Sequence, residues 1–353
     1  MKPTSLLTGI LFLLVLSSCK EQKKPTPTPE IIASGQMPAI VKDNTGKLNL
    51  VYGTGDSIMY AVSADNGVSF SNPVLIEVLP ELDASHTRGP QIAASGENLT
   101  VIACNRMGNI SSYTKGNAGN WKPGVRVNDM DTVSKEGLMA LSADGLVSFA
   151  VWLDLRDKHN KIFGAKSTDG GKTWSKNIMV YTSPDTTVCE CCKPSVVVKG
   201  DNVYVMFRNW LHGNRDLYLV HSTDAGNTFG QAQKLGNGSW ALNGCPMDGG
   251  ALVIDNVGNV NTVWRREGKM FASEPGKQEI EIGEGRSCTI EMVAEKKVYA
   301  WTEKGNVVCL LPGGKKQLLG KGQQPVLKAI SDKQFICVWE YEKEIHRSIL
   351  EIL

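Results

Sequence analysis

The chain has 353 residues, with 38 Lys+Arg against 36 Asp+Glu, 41% hydrophobic and 21% charged residues. This balance excludes a disordered chain and a multi-span membrane protein, and a formal charge of +2 spread along the sequence excludes a nucleic-acid binder, which needs a concentrated positive face to displace counterions. Length alone suggests two domains, but all-β propellers and barrels of this size form one, and 36 Gly fit that option.

At the N-terminus, Lys2 precedes an apolar run, Leu6 to Leu16, that ends in Leu16-Ser17-Ser18-Cys19. This reads as a secretory signal peptide, too short for a stable span, which takes about 20 apolar residues. Its end resembles the lipobox of bacterial lipoproteins. Residues 1–18 are then a leader and Cys19 the lipidated first residue of the mature protein, with a soluble secreted protein as the alternative. Residues 19–29 continue as a Lys/Pro/Thr tether, extended and unpacked. The implied location is outside the cytoplasm, anchored by lipid to a bacterial membrane on its periplasmic or cell-surface side. Residues 30–353 are left as one folded domain, carrying eight of the nine Cys.

Seven apolar strands, all but the second bearing an aromatic, follow in chain order: Leu50-Val51-Tyr52, Val101-Ile102-Ala103, Ala150-Val151-Trp152, Val205-Met206-Phe207, Thr262-Val263-Trp264, Tyr299-Ala300-Trp301 and Cys337-Val338-Trp339. Each follows a shorter segment, several opening on Pro (Pro38, Pro90, Pro194, Pro325), as an innermost strand near an axis would. After Pro325 only three strands' worth of sequence remains. Ile31-Ile32-Ala33 can supply the missing outer strand, pairing the chain's two ends and removing an exposed sheet edge. An all-β propeller of seven four-stranded blades is the expectation, with six blades as the alternative.

Between these strands one turn motif recurs, S-x-D-x-G-x-[ST]-aromatic, at Ser63–Phe70, Ser167–Trp174 and Ser222–Phe229. Its Asp65, Asp169 and Asp224 can bond backbone groups further along, Gly supplies positive φ, and the aromatic anchors the returning strand. A worn copy at Thr114 to Trp121 and a trace at Ser273 give a period of about one sheet. The motif resembles the Asp box of the sialidase-like, BNR-repeat β-propellers, over most of residues 30 to 353. In that family the box is a structural turn, far from the active face, so the resemblance speaks to fold rather than activity.

The assumed strand order places the starts of the first strands and the turns between second and third strands at one mouth. His86, Arg88, Arg208 and Arg286 gather there as candidate ligand-binding residues. The family's enzymes clamp a substrate carboxylate with three arginines, the first in a Tyr/Phe-Arg-Ile-Pro motif; here Gly35-Gln36-Met37-Pro38 stands at that place. A neutral amide gives no charge-assisted bidentate pair, so typical sialidase activity is not expected. Tyr341 between Glu340 and Glu342, the pair Asp154 and Asp157, and Asp248 are the remaining catalytic candidates for glycoside hydrolysis. Asp154 and Asp157 flank Arg156, and pairing with it to hold the turn is their other reading.

Cys189-Glu190-Cys191-Cys192, with Cys245 and Cys288 at the next two blades, puts five thiols within expected reach of one site. A disulfide stapling neighbouring blades, such as Cys192 to Cys245, is one reading. A soft-metal site for Cu or Zn, helped by Met247 or His86, is the other. Adjacent Cys191 and Cys192 would strain if bonded to each other. Cys104, Cys309 and Cys337 lie in apolar strands and read as core. The composite expectation is an extracytoplasmic lipoprotein that binds a ligand, glycan or soft metal ion, at a Cys/Arg/Asp-rich mouth. A divergent exo-sialidase or other glycoside hydrolase is the alternative, and a protein partner at the mouth is a third option.

Overall fold

The computed structural model describes residues 29–116 and 119–352. Among them are seven four-stranded antiparallel sheets and no α-helix; the one helical turn is 3-10, at Pro312–Gly314. The first blade is Gln36–Lys42, Leu48–Thr54, Ser57–Ser63 and Val74–Val78. Later blades begin at Gln91, Met139, Ser195, Gly250, Arg286 and Gln323. Strands run from inner to outer in chain order in six of the sheets, and the seventh takes its outer strand from the N-terminal segment, so the count is seven blades and not the six of the alternative. The leader (1–18), Cys19 and the tether up to residue 28 lie outside the described residues.

Second strands read as continuous apolar runs because they are covered on both faces by neighbouring blades. Leu48–Thr54 is buried at every position but the last, and Trp152, Trp301 and Trp339 are wholly buried. The apolar core is correspondingly divided into seven clusters, one at each blade–blade contact. Val51 and Tyr60 pack on Val101 and Ala103 at the contact of the first and second blades. Leu50 and Tyr52 pack on Ile336 and Val338 at the contact that closes the ring.

Closure uses the strand expected for it. Glu30–Ser34 pairs antiparallel with Glu344–Glu351, Glu30 opposite Arg347 and Ser34 opposite Glu344. The Arg347 guanidinium donates to the Glu30 carboxylate and to the Val68 carbonyl, fastening the added strand to the next blade.

Asp65, Asp169 and Asp224 occupy the turns between third and fourth strands. Each carboxylate accepts the backbone N–H and the hydroxyl of the residue four later, Ser69, Thr173 or Thr228. Each also accepts the hydroxyl of Ser63, Ser167 or Ser222, whose oxygen in turn accepts the N–H of Gly67, Gly171 or Gly226. Phe70, Trp174 and Phe229 pack into three different inter-blade clusters, so each turn is tied to its core by the residue that follows it.

Candidate functional site

The inner strands start at the end of the ring opposite these turns, and there the backbone departs from a regular strand. Gly35-Gln36-Met37-Pro38, Gly285-Arg286-Ser287-Cys288 and Gly322-Gln323-Gln324-Pro325 share one bulged start. Register slips between Gln36 and Ala39, between Arg286 and Thr289, and between Gln323 and Val326. The third residue of each takes left-handed backbone: Met37 at φ 54°, Ser287 at 54° and Gln324 at 56°. Glycine leads each start because a Cβ there would collide with the second-strand aromatic, Tyr52, Trp301 or Trp339. A bulge of this kind re-aims side chains out of the strand's alternation.

Two starts are pinned by a carboxylate of the preceding blade. Met37 N–H donates to Glu340 Oε2 at 3.0 Å, and Ser287 N–H to Asp248 Oδ2 at 3.0 Å. His86 (φ 47°), Thr87 (73°) and Met247 (48°) add positive-φ backbone before the second and fifth blades. Non-glycine residues in this region cost of order 1–3 kcal/mol each, and such strain collects at ligand sites.

These starts enclose an axial cavity of about 290 Å³ to which every blade contributes, through residues such as Met37, Gln91, Leu141, Lys193, Asp248, Thr289 and Gln324. Its wall is mixed: hydroxyls of Thr87, Ser195, Ser287 and Thr289 and the amides of Gln91 and Gln324 alternate with Pro38, Ile40, Ile92 and Val326. Lys193 Nζ donates to Gln91 Oε1 at 2.9 Å. The side chain keeps some exposed surface, yet protein surrounds the ammonium, and this burial pushes its pKa down to about 8. Asp248 is 2% exposed, and burial raises its carboxyl while the Ser287 N–H and nearby arginines act the other way.

Several candidates from the sequence have other work. Arg208, 1% exposed, donates to three backbone carbonyls: Asp248 O at 3.2 Å, Arg215 O at 2.7 Å and Arg265 O at 2.8 Å. Its guanidinium is consumed in holding the fourth and fifth blades together and is not a ligand clamp. Arg88 is wedged between Asp83 and Glu136 at 3.3 and 3.5 Å. Arg286 and His86 are exposed, and none of these four residues lines the axial cavity. Asp154, wholly buried, accepts Trp152 Nε1 at 2.8 Å and a bidentate pair from Arg156, both at 2.9 Å. Asp157 is exposed and paired with Lys161, so these two aspartates hold a turn. Glu340 faces Met37 N–H and Gln36 Nε2, at 3.0 and 3.3 Å, while Tyr341 is hydrogen-bonded to Glu342, which raises its phenol, and neither Tyr341 nor Glu342 lines the axial cavity.

The cysteines divide differently from the five-thiol convergence expected. Cys191 is bonded to Cys245, Cα to Cα 6.2 Å, in place of the Cys192–Cys245 pairing. Cys192 is buried, its Sγ 3.1 Å from Cys189 Sγ, while the half-buried Cys191 takes the disulfide. Cys189 Sγ lies 3.8 Å from Cys191 Sγ and accepts Arg215 Nη1–H at 3.0 Å. Cys288 lines the axial cavity instead. Among the described residues, Cys189, Cys191 and Cys192 are the one set of three or more potential ligand atoms within 4.8 Å of one another, without His86 or Cys288. With Cys191 in a disulfide, only two thiols of that set can offer a thiolate to Cu or Zn. Cys104, Cys309 and Cys337 are buried in inter-blade cores, as read.

Sequence reasoning did not single out Lys193, Gln91, Gln324, Arg215 or Arg265. The first three had a signal: each sits beside the Pro that opens an inner strand, at Lys193-Pro194, Pro90-Gln91 and Gln324-Pro325. Such a position faces the axis whatever its residue type.

No protein-family model and no curated protein matches the chain. Solved structures do share its fold. A Penicillium chrysogenum α-L-arabinanase complexed with arabinobiose is 13% identical, with 93% of this chain and 99% of that one covered and a TM-score of 0.57. The BP39L lectin from Burkholderia pseudomallei is 9% identical over 91% and 97%, at a TM-score of 0.64. An α-L-arabinofuranosidase from Fusarium graminearum, in complex with an iminosugar inhibitor, is 12% identical over 92% and 98%, at 0.52.

Proposed function

We propose that this propeller is a binding protein that takes a small saccharide, or the end of a longer one, in its axial cavity, and that the lipid on Cys19 holds it outside the cytoplasm of a bacterium. The observation that carries this reading is a cavity of about 290 Å³ to which all seven blades contribute. That size is at the low end for small-ligand pockets, roughly 300–1,000 Å³. Its alternation of hydroxyl, amide and aliphatic groups suits a sugar ring, which presents hydroxyls at its edge and C–H groups on its faces. Lys193 and Gln91 supply a donor and amide held in place by each other. The arabinobiose bound to one protein of this fold and the lectin character of another support the ligand class.

Binding is favoured over hydrolysis because glycosidic cleavage generally takes two carboxyl groups flanking the bond. Asp248 is the one carboxylate among the lining residues, and it is spent on Ser287 N–H.

The test is calorimetric titration with a panel of pentoses, hexoses, arabinobiose and sialyllactose. At least one saccharide is expected to bind, and Lys193→Met and Thr289→Trp are each expected to weaken it tenfold or more with unchanged circular dichroism. Binding that survives both substitutions, or no binding at millimolar saccharide, contradicts the reading. Release of free sugar from any panel member, lost in Asp248→Asn, would move the protein to the hydrolase class. For the anchor, Cys19→Ser is expected to shift the protein from membrane to soluble fractions; unchanged membrane association contradicts it.

A further inference from the structure

Cys189 and Cys192 have the Cys-x-x-Cys spacing of dithiol redox motifs, and the structure brings their sulfurs to 3.1 Å. Both are buried, while the disulfide beside them is open to solvent, with Cys191 half-buried and Cys245 exposed. Cys189 Sγ is 3.8 Å from Cys191 Sγ, and the Arg215 guanidinium donates to Cys189 at 3.0 Å. Two sulfur pairs thus meet at one loop, an outer disulfide and an inner dithiol. Neither pair lines the axial cavity, and the saccharide reading does not need them.

We propose that these four cysteines form a thiol–disulfide exchange site, in which the inner dithiol Cys189/Cys192 passes two electrons through the outer pair Cys191/Cys245 to a disulfide-bearing substrate. In the first step Cys189 thiolate bonds to Cys191 Sγ, and the Cys191–Cys245 bond breaks with its electron pair left on Cys245, which takes a proton from solvent. Cys192, giving up its proton, then attacks Cys189, and Cys191 leaves as the thiolate and takes that proton. The disulfide has moved inward to Cys189–Cys192, with one disulfide and two thiols before and after. At the surface, Cys245 thiolate next attacks the substrate disulfide, releasing one thiol. Cys191 then attacks Cys245 Sγ, releasing the second thiol and restoring the outer disulfide. The net change is oxidation of Cys189/Cys192 and reduction of one external disulfide to two thiols.

The surroundings favour the first thiolate. The hydrogen bond shared with Cys192, and then the guanidinium groups of Arg208 and Arg215, lower the Cys189 thiol against the effect of burial, while burial and the neighbouring Cys189 raise Cys192. Nucleophile and resolving thiol are thereby distinguished.

The experiment uses the whole mature chain and oxidised glutathione as the substrate disulfide, with acid quench, thiol alkylation and peptide mapping by mass spectrometry. The expected result is a Cys189–Cys192 disulfide that appears together with two equivalents of reduced glutathione, while Cys104, Cys309 and Cys337 stay alkylatable only after unfolding. Cys189→Ser is expected to abolish the inner disulfide, to retain Cys191–Cys245 and to slow glutathione release at least tenfold. Cys245→Ser is expected still to form the inner disulfide when oxidised, but without the two-pair exchange. Thermal unfolding of each variant separates loss of exchange from loss of fold. Absence of a Cys189–Cys192 disulfide at every glutathione ratio overturns the proposal, as does equal release by wild type and Cys189→Ser. Recovery of a metal bound by Cys189, Cys191 and Cys192 in protein lacking the outer disulfide also overturns it, in favour of a soft-metal site.

Discussion

Asp65 shows what one carboxylate does when its partners are all hydrogen-bond donors. Ser69 contributes its hydroxyl and N–H and Ser63 its hydroxyl, and these bonds hold the carboxyl at about 2, against an ordinary 3.8. A pKa lowered in the folded state adds stability that is present in full above about 4 and drains away as the pH falls toward 2. Asp65→Asn is therefore expected to lower the melting temperature at pH 6, with the gap to wild type narrowing between pH 4 and 2. Thermal scans across that range check it, and a constant gap would contradict the assignment. Lys193 is the opposite case, an amine whose burial favours the neutral form. Its shift costs stability below about pH 8, and the cost is relieved as pH rises from there toward 10.5, because the unfolded chain then holds the extra proton. Lys193→Met is expected to be more stable than wild type at pH 7 by thermal unfolding, and an equal or lower melting temperature would contradict a buried amine.

At the scale of elements, the blade starts are held by side chains that serve neighbouring blades. Arg208 is the clearest case, since one carbonyl of its own turn and two of the next blade depend on it. Each buried carbonyl left without a donor costs roughly 1–3 kcal/mol, so Arg208→Met is expected to destabilise by about 3 kcal/mol or more in urea unfolding. A loss under about 1 kcal/mol would show that water replaces the guanidinium. The N-terminal strand makes the same point for a whole element. A chain beginning at Gly35 would leave Glu344–Glu351 as an open edge and strip the Glu30 partner from Arg347. Such a chain is expected to melt lower and to associate at high concentration; an unchanged, monomeric protein by light scattering would contradict the closure's role.

For the whole molecule, the ring was legible because each second strand is covered on both faces, which writes a largely apolar run into the sequence seven times, six of them with an aromatic. The closing strand was legible for a related reason: Ile31-Ile32-Ala33 is apolar while the last blade is one strand short. The site was legible only as a region. Spacing placed Cys189 to Cys192 and Cys245 at one mouth, but not the direction in which adjacent Cys191 and Cys192 point, so the disulfide fell to the other member of the pair. Arg208 read as a ligand-binding cation at the mouth because no sequence feature shows that three carbonyls converge on it. Lys193 drew no role from the sequence because its chemistry comes from burial that only ring closure assembles.

Enclosure is also what the functional account rests on, and hydrogen–deuterium exchange with the tightest-binding saccharide of the panel tests it directly. Protection is expected on short segments far apart in sequence, around 86–92, 193–195, 248–251, 286–289 and 323–326, and nowhere on the Asp-turn face. Protection confined to one blade, or to the turns that hold Asp65, Asp169 and Asp224, would place the ligand elsewhere and contradict an axial site.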